Sequence, residues 1–146
     1  MAAFSPLAGR RVLVAEDEAM IAMDLQCFLE EIGCVCVGPH GRLKEALDAA
    51  ASSEIDCALI DLVLHDANSA AVLQILAERQ IPFAMATAMP RSGFSPQWVD
   101  RPYLAKPYSR DDVRAVLDQM VGSAGGAKPV ITSLSGLTDR VGGDAR

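Results

Sequence analysis

Apolar positions along this chain come in two rhythms. Short runs at 11–15, 34–37, 57–60, 81–87 and 103–105 alternate with longer stretches where apolar residues recur every three or four positions. Runs this short read as strands buried on both faces, and the 3.6-residue rhythm reads as helices with one face inward. Ile21, Leu25, Phe28, Leu29 and Ile32 mark a first helix over 19–32, with Gly33 where a left-handed residue closes it. Leu43, Ala46, Leu47 and Ala50 mark a second, and Val72, Leu73, Ile75 and Leu76 a third, with Asn68 or Ser69 as its cap. Val113, Val116, Leu117 and Met120 mark the last. Ser109 caps it, and Asp111 and Asp112 stand at its positive end.

The punctuation between these stretches is equally informative. Gly38-Pro39-His40-Gly41 reads as a turn after the second strand. Pro82 stands at the start of the fourth strand, where a missing N–H is tolerated. Pro90, Gly93, Pro96 and Pro102 leave the stretch 89–102 room for a turn or two of helix, over 96–99. Five strands alternating with helices predict an α/β fold, a parallel sheet covered on both faces.

Composition narrows the picture. The chain has 146 residues, 51% of them hydrophobic, which suits one domain with a real core. The expected organisation is an N-terminal extension over 1–8, a domain over 9–121 and a flexible tail over 122–146. The tail opens on Gly122-Ser123-Ala124-Gly125-Gly126 and holds one β-prone island at 130–134. No apolar stretch approaches the ~20 residues of a membrane span. The first residues lack a secretory pattern, so a cytoplasmic protein without a membrane partner is expected. Net charge is −6 and no Lys/Arg cluster appears, which argues against a nucleic-acid partner. Cys27, Cys34, Cys36 and Cys57 all lie in apolar segments without a Cys-x-x-Cys pair, and read as core residues in a reducing compartment.

The candidate chemistry sits where strands end. Glu16 and Asp17 follow the first strand, Asp61 follows the third, Thr87 ends the fourth, and Lys106 follows the fifth. Each has an ordinary reading: a helix N-terminus for the acids of 16–18, a cap for Asp61, a β-branched strand residue for Thr87, a solvated lysine for Lys106. Together they fall on the carboxyl rim of one parallel sheet, where such sheets hold ligands. Three carboxylates gathered there repel, and one would ordinarily take up a proton. Mg2+, a hard cation with oxygen ligands, removes that conflict and leaves Asp61 ionised as a nucleophile for a phosphoryl group. Lys106 and the Thr87 hydroxyl then suit two phosphoryl oxygens.

On these residues the chain resembles the receiver domains of two-component response regulators, the CheY-like family. The matching stretches are Val14-Ala15-Glu16-Asp17-Glu18, Ala58-Leu59-Ile60-Asp61, Ile81-Pro82 through Thr87-Ala88, and Tyr103-Leu104-Ala105-Lys106-Pro107-Tyr108. The separations from Asp17 to Asp61 to Thr87 to Lys106 are 44, 26 and 19 residues. The resemblance implies a flavodoxin-like sheet of order 2-1-3-4-5, here with a reduced fourth helix. It implies that Asp61 is the phosphoacceptor and that Asp17, Glu16, Asp61 and the Val63 backbone carbonyl hold Mg2+. It makes Thr87 and Tyr103 the switch pair, Lys106 the phosphate contact, and the Lys106–Pro107 bond often cis. The implied partners are a sensor histidine kinase or histidine phosphotransfer protein and an unknown downstream protein. The implied activity is phosphorelay signalling by a stand-alone domain, not a turnover enzyme. A pseudo-receiver that acts as a phosphorylation-independent interaction module is the alternative. An aspartyl phosphatase is a third reading, opposed by Val63 where such enzymes place a second aspartate.

Several positions depart from the family pattern. His65 stands where a proline is common, a titrating side chain near the phosphoryl site, and Ser69 where a glycine is common. Val63 and Met89 are apolar where the family is often polar, which predicts a slowly hydrolysed phosphoryl group. The short fourth helix predicts that the symmetric dimer many receivers form through that region is not used. The stretch 82–87 is similar to a short-receiver subgroup marked by Pro-Phe-x-x-Ala-Thr-Gly-Tyr, with Ala88-Met89 in place of Gly-Tyr.

Overall fold

The structure, a computed structural model, describes residues 6–65 and 67–122. Residues 1–5 of the expected extension and 123–146 of the expected tail, with its β-prone island, lie outside them. The elements run β1 (Arg11–Ala15), α1 (Ala19–Ile32), β2 (Val35–His40), α2 (Leu43–Ser52), β3 (Cys57–Ile60), α3 (Ala70–Glu78), β4 (Phe83–Thr87), β5 (Tyr103–Ala105) and α4 (Arg110–Gly122). The strands form one sheet of order β2-β1-β3-β4-β5. All four pairings are parallel. This is the flavodoxin-like arrangement. Two 3-10 turns, Arg91–Gly93 and Pro96–Trp98, stand between β4 and β5 where a fourth helix was expected to be reduced.

The period of two along each strand sorts the core into two layers. Val12, Val14, Cys57, Leu59, Ala84, Ala86 and Leu104 pack with α1 and α4. Leu13, Ala15, Ala58, Ile60, Phe83 and Met85 pack with α2, α3 and the 3-10 segment. Leu7, within the segment expected as an extension, is fully buried in the first layer. Gly33 takes φ +104° and its N–H reaches the carbonyls of Leu29 and Glu30, closing α1 as expected.

Two local expectations are corrected, the end of β2 and the burial of Cys27. The second strand does not stop at Val37; it continues through Gly38 and Pro39 to His40, and its register against β1 shifts between Leu13 and Ala15. Gly38 makes this possible: its φ is +116°, and a Cβ there would stand 2.9 Å from the Val14 carbonyl oxygen. Of the two candidates for the α3 cap, Asn68 supplies it. The Asn68 side chain accepts from Ala70 N–H at 3.0 Å, while the Ser69 hydroxyl turns to another partner. Cys27 is exposed on α1 and is not a core residue; Cys34 and Cys57 are buried and Cys36 is half-buried. The α4 cap stands as read: Ser109 Oγ accepts from Asp112 N–H at 3.1 Å, and Ser109 N–H donates to Asp112 Oδ2 at 2.9 Å.

Candidate functional site

Backbone ladders hold the rim residues one step past their strands. Glu16 N–H donates to the His40 carbonyl at 2.9 Å, Asp61 N–H to that of Ala15 at 2.9 Å, and Lys106 N–H to that of Thr87 at 3.0 Å. The pleat therefore continues beyond the strand ends. Glu16 keeps the parity of Val12 and Val14, Asp61 that of Cys57 and Leu59, and Lys106 that of Leu104. All three side chains fall on the α1/α4 side and meet there. Thr87 has the parity of Phe83 and Met85, and belongs to the opposite layer.

The meeting is close and largely dry. Asp61 is 5% exposed and Glu16 2%. Lys106 Nζ donates to Asp61 Oδ2 at 2.8 Å and to Glu16 Oε2 at 3.2 Å. It also lies 2.9 Å from Glu16 Oε1, but off the line of a hydrogen bond, so that buried oxygen has no donor. Glu18 is a looser neighbour, 3.8 Å from the ammonium, and its N–H donates to Glu16 Oε2 at 3.1 Å. Burial pushes the Glu16 carboxyl above its ordinary range, and the hydrogen bond from Lys106 offsets part of that rise. For Lys106, burial pulls the ammonium down, but hydrogen bonds to Asp61 and Glu16 outweigh it together and hold the pKa above the usual lysine range.

Glu16, Asp17 and Asp61 each offer a carboxylate oxygen within 4.8 Å of the others. Three carboxylates against one ammonium leave an excess of negative charge, and Glu16 Oε1 is an unsatisfied buried acceptor. An all-oxygen set with that excess has the donor chemistry of a hard divalent cation, so the residues present fit Mg2+. Val63 N–H donates to Asp61 Oδ1 at 3.1 Å, which orients the carboxylate. The Val63 side chain is 54% exposed. His65 Nδ1 lies 3.2 Å from Asp17 Oδ2.

Thr87 and Tyr103 are linked through Met89. Met89 N–H donates to Thr87 Oγ1 at 3.1 Å, and the Tyr103 hydroxyl donates to the Met89 carbonyl at 2.8 Å. The structure joins these two to each other and joins Lys106 to the acids; the backbone bond from Lys106 N–H to the Thr87 carbonyl links the two groups. The Lys106–Pro107 bond is cis, as the resemblance implied, and so is Gly38–Pro39.

Two contributors were not readable in advance. Ser69 is fully buried and its hydroxyl donates to the Asp61 carbonyl at 2.6 Å. Tyr108 has a buried hydroxyl without a hydrogen-bond partner among the described residues. Burial raises its pKa, and Glu16 and Asp61 add to the rise. The only signal for Ser69 is a serine next to a helix start, and for Tyr108 its place in the Lys106-Pro107-Tyr108 run.

Comparison with known proteins places this arrangement. The chain belongs to the CheY-like response regulator receiver domains of two-component signalling. It is 36% identical to SdrG of Sphingomonas melonis Fr1, whose solution structure superposes with a TM-score of 0.67 over 78% of this chain and 96% of that one. SdrG has also been solved in a BeF3-activated conformation, 35% identical, TM-score 0.64, covering 75% of this chain and 94% of that one. PdtaR, a transcriptional regulatory protein of Mycobacterium tuberculosis, is 33% identical over 116 residues, 77% of this chain and 57% of its own. PhyR, a phyllosphere-induced regulator of Methylorubrum extorquens, is 32% identical over 112 residues, 74% of this chain and 42% of its own. The chain thus spans about half the length of the curated relatives it matches. No family model matches it. Among the described residues no helix is long and apolar enough to cross a membrane.

Proposed function

We propose that this chain is a phosphorylation-switched signalling module whose phosphoacceptor is Asp61. The observation that carries the reading is the Lys106–Asp61 contact of 2.8 Å beside an acidic trio within 4.8 Å. A carboxylate so oriented is a poised nucleophile, and the ammonium next to it is available to a phosphoryl oxygen. The donor is a phosphohistidine on a histidine kinase or histidine phosphotransfer protein. Asp61 forms the new O–P bond, the P–N bond breaks, and the leaving imidazole takes up a proton. Glu16, Asp17, Asp61 and the Val63 carbonyl hold Mg2+, which when bound offsets the negative charge of carboxylates and phosphoryl group alike. Lys106 contacts one phosphoryl oxygen, and Thr87 turns its hydroxyl to another with Tyr103 following. The output is contact with a downstream protein in the cytoplasm, so the chain is a regulator and not a turnover enzyme. The BeF3-activated conformation reported for SdrG supports the reading, because fluoroberyllate mimics an aspartyl phosphate.

The test is transfer of labelled phosphoryl from acetyl phosphate or a phosphohistidine donor with Mg2+. Wild type should take up acid-stable, base-labile label, and Asp61→Ala and EDTA-treated protein should take up none. Absence of label on wild type from every donor, or undiminished label on Asp61→Ala, refutes Asp61 as acceptor.

A further inference from the structure

One cation ties together the segment between β4 and β5. Arg91 Nη1 donates to the Val99 carbonyl at 2.7 Å and to the Arg101 carbonyl at 3.3 Å. Its guanidinium carbon stands 5.1 Å from the centre of the Tyr103 ring and 5.9 Å from that of Phe94. The two rings meet edge-on, 5.1 Å apart and inclined at 75°. Among the described residues no carboxylate pairs with Arg91. A half-buried guanidinium is unfavourable unless carbonyls and ring faces replace its water, and here both do. The contact is therefore a specific one, made from both ends of the segment.

Its reach extends to the candidate switch. The ring that Arg91 covers is the ring whose hydroxyl is on Met89, and the Met89 amide is the group that engages Thr87. Moving Tyr103 off Met89 means drawing its ring away from the guanidinium and from Phe94. Resting on the reading of Thr87 and Tyr103 given above, we infer that Arg91 is a positioning residue that latches Tyr103 onto the Met89 carbonyl and so sets how readily the phosphoryl-bound state forms. A latch on the free state lowers affinity for a phosphoryl mimic in proportion to the fraction of molecules that are released.

The experiment uses the full chain labelled with fluorotyrosine, followed by 19F NMR and titrated with beryllofluoride in Mg2+. The chain has two tyrosines, so Tyr103→Phe assigns the signals. In Arg91→Ala without beryllofluoride, the Tyr103 signal should move toward its position in beryllofluoride-bound wild type. Half-saturation should fall about three- to tenfold, the range of one or two cation–π and carbonyl contacts. Arg91→Lys keeps the charge and a nitrogen that can serve the carbonyls but loses the planar guanidinium over the Tyr103 ring, and should fall between. An unchanged Tyr103 signal and half-saturation, with only a lower melting temperature, overturns the latch, as does weaker binding by the alanine variant. Failure of wild type to respond to beryllofluoride sinks the Asp61 reading. The latch is then decided by the Tyr103 signal of the free proteins, and an unmoved signal in Arg91→Ala overturns it.

Discussion

The Ser69 hydroxyl donates to the carbonyl of Asp61 at 2.6 Å, so the residue just before α3 holds the residue just after β3. Ser69 N–H also donates to the Leu62 carbonyl, and its own carbonyl accepts from Val72 and Leu73. Ser69→Ala should cost about 1–2 kcal/mol, the ordinary price of a buried hydrogen bond whose acceptor is left behind. Urea denaturation measures it. A variant as stable as wild type means the Asp61 carbonyl finds another donor at no cost.

Among the described residues Lys106 is the one ammonium in contact with the Glu16 and Asp61 carboxylates. Removing one partner of a buried ionic cluster leaves uncompensated charge. Lys106→Ala in EDTA should lose about 3 kcal/mol of stability, and Mg2+ should raise its melting temperature by more than it raises that of wild type. Adding Asp61→Asn to Lys106→Ala should recover part of the loss, because one of the unpaired charges goes with it. A lysine variant whose melting is indifferent to Mg2+ contradicts the metal site.

The cysteines should react in order of access and ionisation. Burial pushes the Cys36 thiol up to about 11 and the Cys57 thiol up to about 12, and raises that of Cys34. The thiolate is the reacting species, so at pH 8 these three are almost wholly protonated. Exposed Cys27 should be alkylated first, with Cys34 and Cys57 modified only on unfolding. Peptide mapping after timed iodoacetamide treatment reads the order. Modification of Cys57 alongside Cys27 in folded protein runs against it.

Val63, whose N–H orients Asp61, lines a mostly apolar cavity of about 170 Å³ together with Met89, Phe94 and Trp98. An apolar flank offers attacking water no hydrogen-bonding group. Val63→Asn/Met89→Glu should speed loss of the phosphoryl group from Asp61 by roughly tenfold or more, at the lower end of what general acid–base assistance provides. Timed decay of labelled protein compares the two, and equal half-lives dispose of the idea.

Gly38→Ala should destabilise by about 2 kcal/mol or more. The new Cβ would sit 2.9 Å from the Val14 carbonyl oxygen and 2.9 Å from His40 N, at a φ of +116°. Thermal melting decides it; a variant within about 0.5 kcal/mol of wild type shows that β2 can straighten freely.

Much of the site was legible because it obeys the pleat. Glu16, Asp61 and Lys106 end short apolar strands, and parity alone sends their side chains to one side. What was not legible at Ser69, Arg91 and Tyr103 has a common cause: the partner is a main-chain group, which carries no residue signature. Ser69 bonds the carbonyl of Asp61, Arg91 those of Val99 and Arg101, and Tyr103 that of Met89. The end of β2 was misread for a different reason. Gly38-Pro39 has turn composition, but pairing with β1 overrides that preference and the ladder resumes at His40. Cys27 lies two residues from Leu25 and Leu29 on the α1 stripe, and so faces solvent.

The outermost strands carry a further consequence. β2 borders the sheet on one side and includes Pro39, which has no N–H to offer, next to a left-handed glycine; β5 borders it on the other and is three residues long. Neither margin presents a long, straight row of free donors and acceptors on which another strand could template. The sheet is thereby guarded at its sides against sheet-to-sheet aggregation.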